Sequence, residues 1–148
     1  MAAEETTAIV RAGVEAWNNR DWETSISLIS PTCELVNEAT GETLTGHEGF
    51  RHFWDQWNTS FPDQRVRVTS LIVDNTGAAV EATFEGTHTG PLQTPGGDIP
   101  PTGKSVRTVY AAFFTIEDGK ISSYRLYFDI LTLLQQLCVA PQPAPAGA

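Results

Sequence analysis

The chain has 148 residues, of which 41% are hydrophobic, and it carries a formal net charge of −9. This length suits one domain with a sizeable core. The negative charge argues against a nucleic-acid partner, which would require a basic surface to meet its phosphates. The sequence contains no run of about 18 apolar residues, so no membrane span is predicted. The acidic N-terminal segment lacks the basic and apolar regions that are typical of a signal peptide. We therefore expect a cytoplasmic protein with no nucleic-acid or membrane partner.

Three helices are predicted in the first part of the chain. Apolar residues recur at helical spacing over residues 6–19, and Asp21 is placed to cap a second, shorter helix that Pro31 ends. A third helix is predicted to begin at a T-x-x-E capping box formed by Thr45 and Glu48. Its apolar stripe is aromatic and consists of Phe50, Phe53, Trp54, Trp57 and Phe61.

The sequence then changes to a period of two, which is typical of β-strands. Residues 38–46 are turn-rich, and residues 90–104 contain so much Gly and Pro that no regular element is expected there. The predicted strands cover residues 33–37, 64–73, 78–90, 105–116 and 121–128.

The chain is predicted to end in a helix over residues 130–137 and a disordered Pro/Ala-rich tail over residues 140–148. Initial helices followed by four long strands predict an α+β fold, in which helices pack on one face of an antiparallel sheet. We expect residues 1–139 to form a single domain.

Four short motifs follow one another within residues 5–138: G-T-H-T-G, P-P-T-G-K, D-G-K-I and L-L-Q-Q-L. In their order and spacing they resemble the SnoaL-like polyketide cyclase family, which belongs to the nuclear transport factor 2-like superfamily. The resemblance implies a cone-shaped, curved sheet packed against the N-terminal helices, with an apolar pocket at its wide end. It also implies a homodimer or homotetramer formed through the sheet, and chemistry without a metal or cofactor.

The resemblance also identifies one position where this chain departs from the cyclases. Their general base is a carboxylate on the last strand, and alignment on the D-G-K-I motif places Leu126 at that position. Leucine cannot accept a proton, so the cyclases' aldol mechanism does not transfer directly. Tyr110 and Ala112 likewise replace the polar residues of the preceding strand.

The inward position of Leu126 fixes which other strand residues should face the pocket, because alternate residues share one face of a sheet. These residues are mainly aromatic, as expected of a site that binds an apolar small molecule. The predicted ligand-contacting residues are Trp17, Trp54, Trp57, Phe84, Tyr110, Tyr124, Leu126 and Phe128. For Trp54, Trp57, Tyr110 and Tyr124 the alternative is a place in the hydrophobic core.

Two residues are candidates for proton transfer. Asp129 could lie at the pocket mouth with a raised pKa, could simply cap the last helix, or could form an ion pair with Arg107 or Arg125. His88 could act as an acid or base toward a ligand oxygen, or its ring could be satisfied by backbone groups of the Gly/Pro-rich loop. Glu34 is a reserve carboxylate.

The remaining titratable residues do not predict a metal site. His47 and His52 have no metal-ligand spacing, and Cys33 and Cys138 are isolated, so both cysteines are expected to be reduced. We therefore expect no cofactor and no metal.

Three functions remain open. The first is a cofactor-free enzyme, with His88 and Asp129 as the catalytic pair, that cyclises, isomerises or hydrolyses an apolar carbonyl-bearing or polycyclic compound of natural-product type. The second is a ligand-binding or accessory protein without catalysis, which the leucine at position 126 favours. A purely structural homodimer, or a subunit of a larger assembly, is a third alternative.

Overall fold

A computed structural model describes residues 2–139; the predicted tail over residues 140–148 lies outside these residues. The described chain begins with two helices and ends with another, and most of the remainder forms strands. In chain order the elements are α1 (Ala2–Asn18), α2 (Trp22–Ser27), β1 (Ile29–Asn37), β2 (Glu42–Thr45), α3 (Gly46–Ser60), β3 (Arg65–Val73), β4 (Gly77–Thr87), β5 (Leu92–Thr94), β6 (Gly97–Ile99), β7 (Ser105–Glu117), β8 (Lys120–Phe128) and α4 (Ile130–Gln136).

The principal sheet has six strands in the order β2-β1-β8-β7-β4-β3. The sheet is antiparallel except where β8 pairs in parallel with β1. Register shifts interrupt three of these pairings, and such irregularities bend strands and increase twist. The α+β fold with helices packed against a curved sheet is confirmed.

Several local predictions differ from the structure. β1 begins at Ile29, so Pro31 lies within a strand, where its missing N–H is tolerated because the register is irregular between Ile29 and Glu34. The turn-rich segment 38–46 contains β2. The segment 90–104, for which no regular element was expected, forms the two-stranded hairpin β5–β6.

The helix N-termini follow the predictions in part. Asp21 caps α2 by accepting a hydrogen bond from the Thr24 N–H at 3.1 Å. Thr45 is the N-cap residue of α3, but its side chain makes no capping hydrogen bond, so the predicted capping box is wrong. The chain instead enters α3 through Gly46 at φ 72°, where a Cβ would lie 2.9 Å from the Pro31 carbonyl oxygen.

The aromatic stripe of α3 packs against the inward face of the sheet. Phe50, Phe53 and Trp54 are buried there with Leu35 and Leu126. Burying such large side chains supplies much of the driving force for folding and fixes α3 over β1 and β8. Within residues 2–139, no helix combines the length and apolar character that a membrane span requires.

Candidate functional site

An inner cavity of about 120 Å³ lies between the helices and the inward face of the sheet. Its wall is almost wholly apolar, and its volume is comparable to that of an engineered protein cavity, roughly 150 Å³, that holds benzene. The cavity is therefore large enough for one ring of a ligand. Among its lining residues are Trp17, Phe53, Trp57, Phe84, Thr108, Tyr110, Phe114, Tyr124, Leu126 and Phe128.

All of the predicted ligand-contacting residues except Trp54 lie on this wall. Trp54 is buried behind it, with its ring 5.2 Å from that of Trp17 and 5.4 Å from that of Trp22. Trp54 therefore occupies the core position that was one of its two predicted alternatives, and it does not line the cavity. Its side chain turns toward α1 and α2. Leu126 is buried and does face the cavity.

Tyr110 and Tyr124 supply the phenolic hydroxyls of the cavity wall. Among the described residues, neither hydroxyl has a hydrogen-bond partner, and neither is sealed in the core. Burial raises the pKa of both phenols, and the pKa of Tyr110 is raised further by the nearby Tyr124. Each hydroxyl is thus a neutral donor that remains available to a ligand.

Aromatic neighbours hold Tyr124 in place. Its ring lies 4.8 Å from that of Phe114 in a T-shaped contact and 5.9 Å from that of Phe53. Tyr124 is therefore positioned from both the sheet and α3, which reduces the conformational freedom it would lose on binding a ligand.

A buried polar network orients Trp17. The indole N–H of Trp17 donates to Gln64 Oε1 at 2.8 Å, and Gln64 Nε2 donates to Asn58 Oδ1 at 3.0 Å. Gln64 is 0% exposed, so these bonds satisfy polar atoms that would otherwise be costly to bury. The sequence analysis missed Gln64, because a glutamine at the start of a strand gives no local sign of burial.

An outer cleft of about 330 Å³ lies beside the inner cavity. It is bounded by the β1–β2 turn, by α3 and by the β5–β6 hairpin, and its wall is more polar. Trp57 and Phe128 line both spaces and separate them. The other residues of the cleft are Asn37, Thr40, Gly41, Glu42, Gln56, Leu92, Gln93, Thr94, Pro95 and Ile130.

His88 lies outside both walls. The imidazole is 0% exposed, and its Nδ1 accepts a hydrogen bond from the Thr102 N–H at 3.2 Å. The backbone of His88 also bonds to Gly103 and Lys104 at 2.8 Å. His88 therefore connects the loop before β7 to the end of β4. This arrangement matches the alternative in which the histidine bonds to backbone groups of the Gly/Pro-rich loop.

The environment of the imidazole keeps it neutral. Burial lowers the pKa of His88, although the nearby Gly90 carbonyl opposes this shift. Because Nδ1 accepts from Thr102, the ring proton belongs on Nε2, which is buried and has no partner with hydrogen-bond geometry among the described residues.

Asp129 is the N-cap of α4. It accepts hydrogen bonds from the N–H groups of Leu131 at 3.0 Å and Thr132 at 3.3 Å, and from the Thr132 hydroxyl at 2.9 Å. These bonds lower the pKa of the exposed carboxylate, so the raised pKa expected for a catalytic Asp129 is wrong. Asp129 lines neither space, and its predicted ion-pair partner Arg107 pairs with Glu85 instead.

The other titratable candidates are also placed away from the inner cavity. Glu34 is exposed on the outward face of β1, so it cannot serve as a base inside the sheet. His47 Nε2 lies 2.8 Å from the Ile29 carbonyl, and the exposed His52 lies 3.7 Å from Glu42. Burial and the charge of Glu34 raise the pKa of the Cys33 thiol to about 11.

The inner cavity therefore has hydrogen-bond donors but lacks an ionised group. Among the described residues, no carboxylate, imidazole, lysine or arginine lines it. In the same part of the chain, no group of three or more His, Cys, Asp or Glu residues is arranged to hold a metal ion. Both cysteines are free.

Comparison with known proteins gives one family. The sequence model described as SnoaL-like polyketide cyclase matches residues 7–137. A comparison with curated proteins gives no match.

Solved structures share this fold. AclR from Streptomyces galilaeus, a proposed hydroxylase, is 23% identical, with 97% of this chain and 91% of that chain covered and a TM-score of 0.81. IdmH from Streptomyces antibioticus, a proposed polyketide cyclase, is 25% identical, with coverage of 90% and 99% and a TM-score of 0.75. A Catenulispora acidiphila protein of ketosteroid isomerase-like fold, solved with trimethylamine, is 19% identical, with coverage of 93% and 97% and a TM-score of 0.75.

Proposed function

We propose, since this chain belongs to the SnoaL-like polyketide cyclase family, that its inner cavity binds an apolar, carbonyl-bearing small molecule and promotes its cyclisation or isomerisation without a cofactor. One observation carries the proposal: Tyr110 and Tyr124 line a largely apolar cavity, and their neutral hydroxyls have no hydrogen-bond partner among the described residues. A carbonyl oxygen is the ligand group that such donors match. Their hydrogen bonds strengthen as negative charge develops on that oxygen in a dry site.

The proton in this reaction passes through hydroxyl groups. In a ring closure, the enol carbon forms a bond to the carbonyl carbon, the enol O–H proton leaves, and the carbonyl oxygen gains a proton. No net proton is gained or lost, so a phenol that donates one proton and accepts another can complete the step. Because His88 and Asp129 lie outside the cavity, we do not assign them as the catalytic pair.

An enolisable aryl β-diketone tests this proposal. Benzoylacetone interconverts between enol and ketone, and the enol can be followed by its ultraviolet absorbance. We expect the protein to accelerate the interconversion above the buffer rate, and the double variant Tyr110→Phe/Tyr124→Phe to lose the acceleration. Binding of the compound with no change in its interconversion rate would contradict catalysis.

The second candidate function is ligand binding without catalysis. It is favoured by the absence of an ionised group from the described wall of the inner cavity. A positioned general base typically accelerates a reaction about 10²–10⁴-fold, so a site without one lacks a large part of the usual rate enhancement. In this case wild type and the double variant would differ in affinity for the compound and not in rate.

We also propose that the protein forms a homodimer through the outward face of the sheet. Val109, Phe113 and Tyr127 are large apolar residues on that face, and they are 59%, 45% and 39% exposed. Glu85 and Arg107 lie beside them with opposite charges, which suits a two-fold interface in which each surface meets its own copy.

A cytoplasmic location stays a prediction.

A further inference from the structure

The inner cavity and the outer cleft adjoin through two side chains. Trp57 and Phe128 line both spaces, and their rings lie 5.7 Å apart in a T-shaped contact. The indole N–H of Trp57 has no hydrogen-bond partner among the described residues. A ligand that occupies both spaces would therefore have to pass this aromatic pair.

Asn37 provides a hydrogen-bond donor in the cleft. This residue is 4% exposed and lies on the inward face of β1, in line with Cys33 and Leu35. Its Oδ1 accepts from the Ala39 N–H at 3.0 Å, which fixes the orientation of the amide. Its Nδ2 has no partner among residues 2–139 and is not sealed in the core, so it is available to a molecule in the cleft.

Other cleft residues set the charge that a ligand can carry. Gln56 Nε2 donates to Gln93 Oε1 at 2.8 Å, which leaves Gln56 Oε1 as an acceptor and Gln93 Nε2 as a donor. Glu42 contributes a carboxylate, whereas no lysine or arginine among the described residues lines the cleft. A neutral group would be matched here, whereas an anion would face Glu42, whose titratable neighbour His52 lies 3.7 Å away and does not line the cleft.

We infer that the outer cleft is a second subsite, which binds a neutral hydrogen-bonding tail, such as a carboxamide, of a ligand whose apolar carbonyl-bearing head lies in the inner cavity. The inference rests on the proposed function, because it takes the head to bind beside Tyr110 and Tyr124. It adds that Asn37 recognises the tail and that the free ligand carries no carboxylate or phosphate at that end.

Three related compounds test the inference by titration calorimetry with the full chain. They are acetophenone, acetophenone with a para butanamide chain, and acetophenone with a para butanoate chain. We expect the amide to bind about 3- to 10-fold more tightly than acetophenone, as one or two added neutral hydrogen bonds allow. The butanoate should bind no more tightly than acetophenone.

Variants assign the effect to the cleft. Asn37→Asp keeps an oxygen for the Ala39 N–H and removes the amide donor, so it should abolish the gain from the butanamide chain while acetophenone binds as before. Glu42→Gln should improve butanoate binding several-fold, and it tests the charge argument even where an Asn37 variant is unstable. The outward-facing Glu34→Gln is the matched control and should change none of the three affinities.

The outcomes separate the two proposals. If acetophenone does not bind to the wild-type protein, the proposed function is overturned. If acetophenone binds but the amide gives no gain, or its gain persists in Asn37→Asp, the second subsite is overturned and the proposed function stands. Tightest binding of the butanoate would likewise overturn the assignment of a neutral tail.

Discussion

The rings of Trp57 and Phe128 meet at an interplanar angle of 76° and form the partition between an apolar cavity and a more polar cleft. Trp57 also contacts Phe61 and Phe84, so this partition is built into the aromatic core. The pair therefore sets how large a ligand head can be. Its removal should change ligand selectivity as well as stability.

Trp57→Phe should enlarge the inner cavity and favour a two-ring ligand. We expect the affinity for acetylnaphthalene, relative to acetophenone, to rise several-fold, with a loss of about 1–3 kcal/mol in the free energy of unfolding. Trp54→Phe is the control, because Trp54 is buried but lines neither space. An equal change of selectivity in both variants would show that the partition does not control ligand size.

Tyr110→Phe and Tyr124→Phe should each weaken ketone binding by about 3- to 10-fold without unfolding the protein, because neither hydroxyl has a hydrogen bond to lose among the described residues. The raised pKa of each phenol means that the donor proton is retained through the usual range of phenol ionisation near pH 10. Ketone affinity measured by calorimetry should therefore stay constant from neutral pH to about pH 10. A loss of affinity below that pH would argue against the tyrosines as donors.

Asp129→Asn separates helix capping from proton transfer at this position. Asparagine caps helices as well as aspartate does but cannot act as a carboxylate base, so activity and melting temperature should both be kept. Asp129→Ala should lower the melting temperature by about 2–4 °C near neutral pH. Loss of turnover in a fully folded Asp129→Asn would restore the catalytic assignment.

The same carboxylate makes a pH-dependent contribution to stability. Its pKa is lowered in the folded state, so its stabilisation is present above the unfolded pKa of about 3.9 and is lost as the pH falls through the folded value. The stability difference between wild type and Asp129→Ala should therefore shrink in acid. Thermal melts of both proteins between about pH 3 and pH 7 give the comparison.

His88 should make the protein less stable in mild acid. Its folded pKa is lowered, so its contribution is fully present above the unfolded pKa of about 6.5 and decreases as the pH falls below that value. His88→Gln should lack this step in melting temperature, whereas the exposed His52→Gln should retain it. An unchanged step in His88→Gln would mean that another group causes it.

Phe113→Asp should convert the proposed homodimer into a monomer. The side chain is 45% exposed on the outward face of β7, where its ring lies 5.8 Å from that of Tyr127. The substitution replaces a large apolar side chain of the proposed interface with a charge that must be desolvated when two copies meet, even though Arg125 lies 5.7 Å from the Phe113 ring. Sedimentation velocity measures the change, and Leu131→Asp on α4, which is 49% exposed in the wild type, is the control.

The alternation of apolar residues indicated which face of β7 and of the second half of β8 points inward. Tyr110, Tyr124 and Leu126 all line the inner cavity, because adjacent strands of a sheet bring the same face of every strand to one side. The N-cap role of Asp129 was also one of the alternatives derived from sequence, since a cap depends on residues only two or three positions away.

Local sequence determined the helices and the long strands of this protein, and tertiary structure determined the short strands β2, β5 and β6 and which polar groups meet. Asn37 and Gln93 are distant in the chain, and the cleft that they line exists only once the β5–β6 hairpin folds over α3. His88 likewise lies outside the cavity, where it forms hydrogen bonds to residues 102–104. Periodicity fixes which way a side chain points, but the burial and hydrogen-bond partners of that side chain depend on segments that only the folded chain brings together.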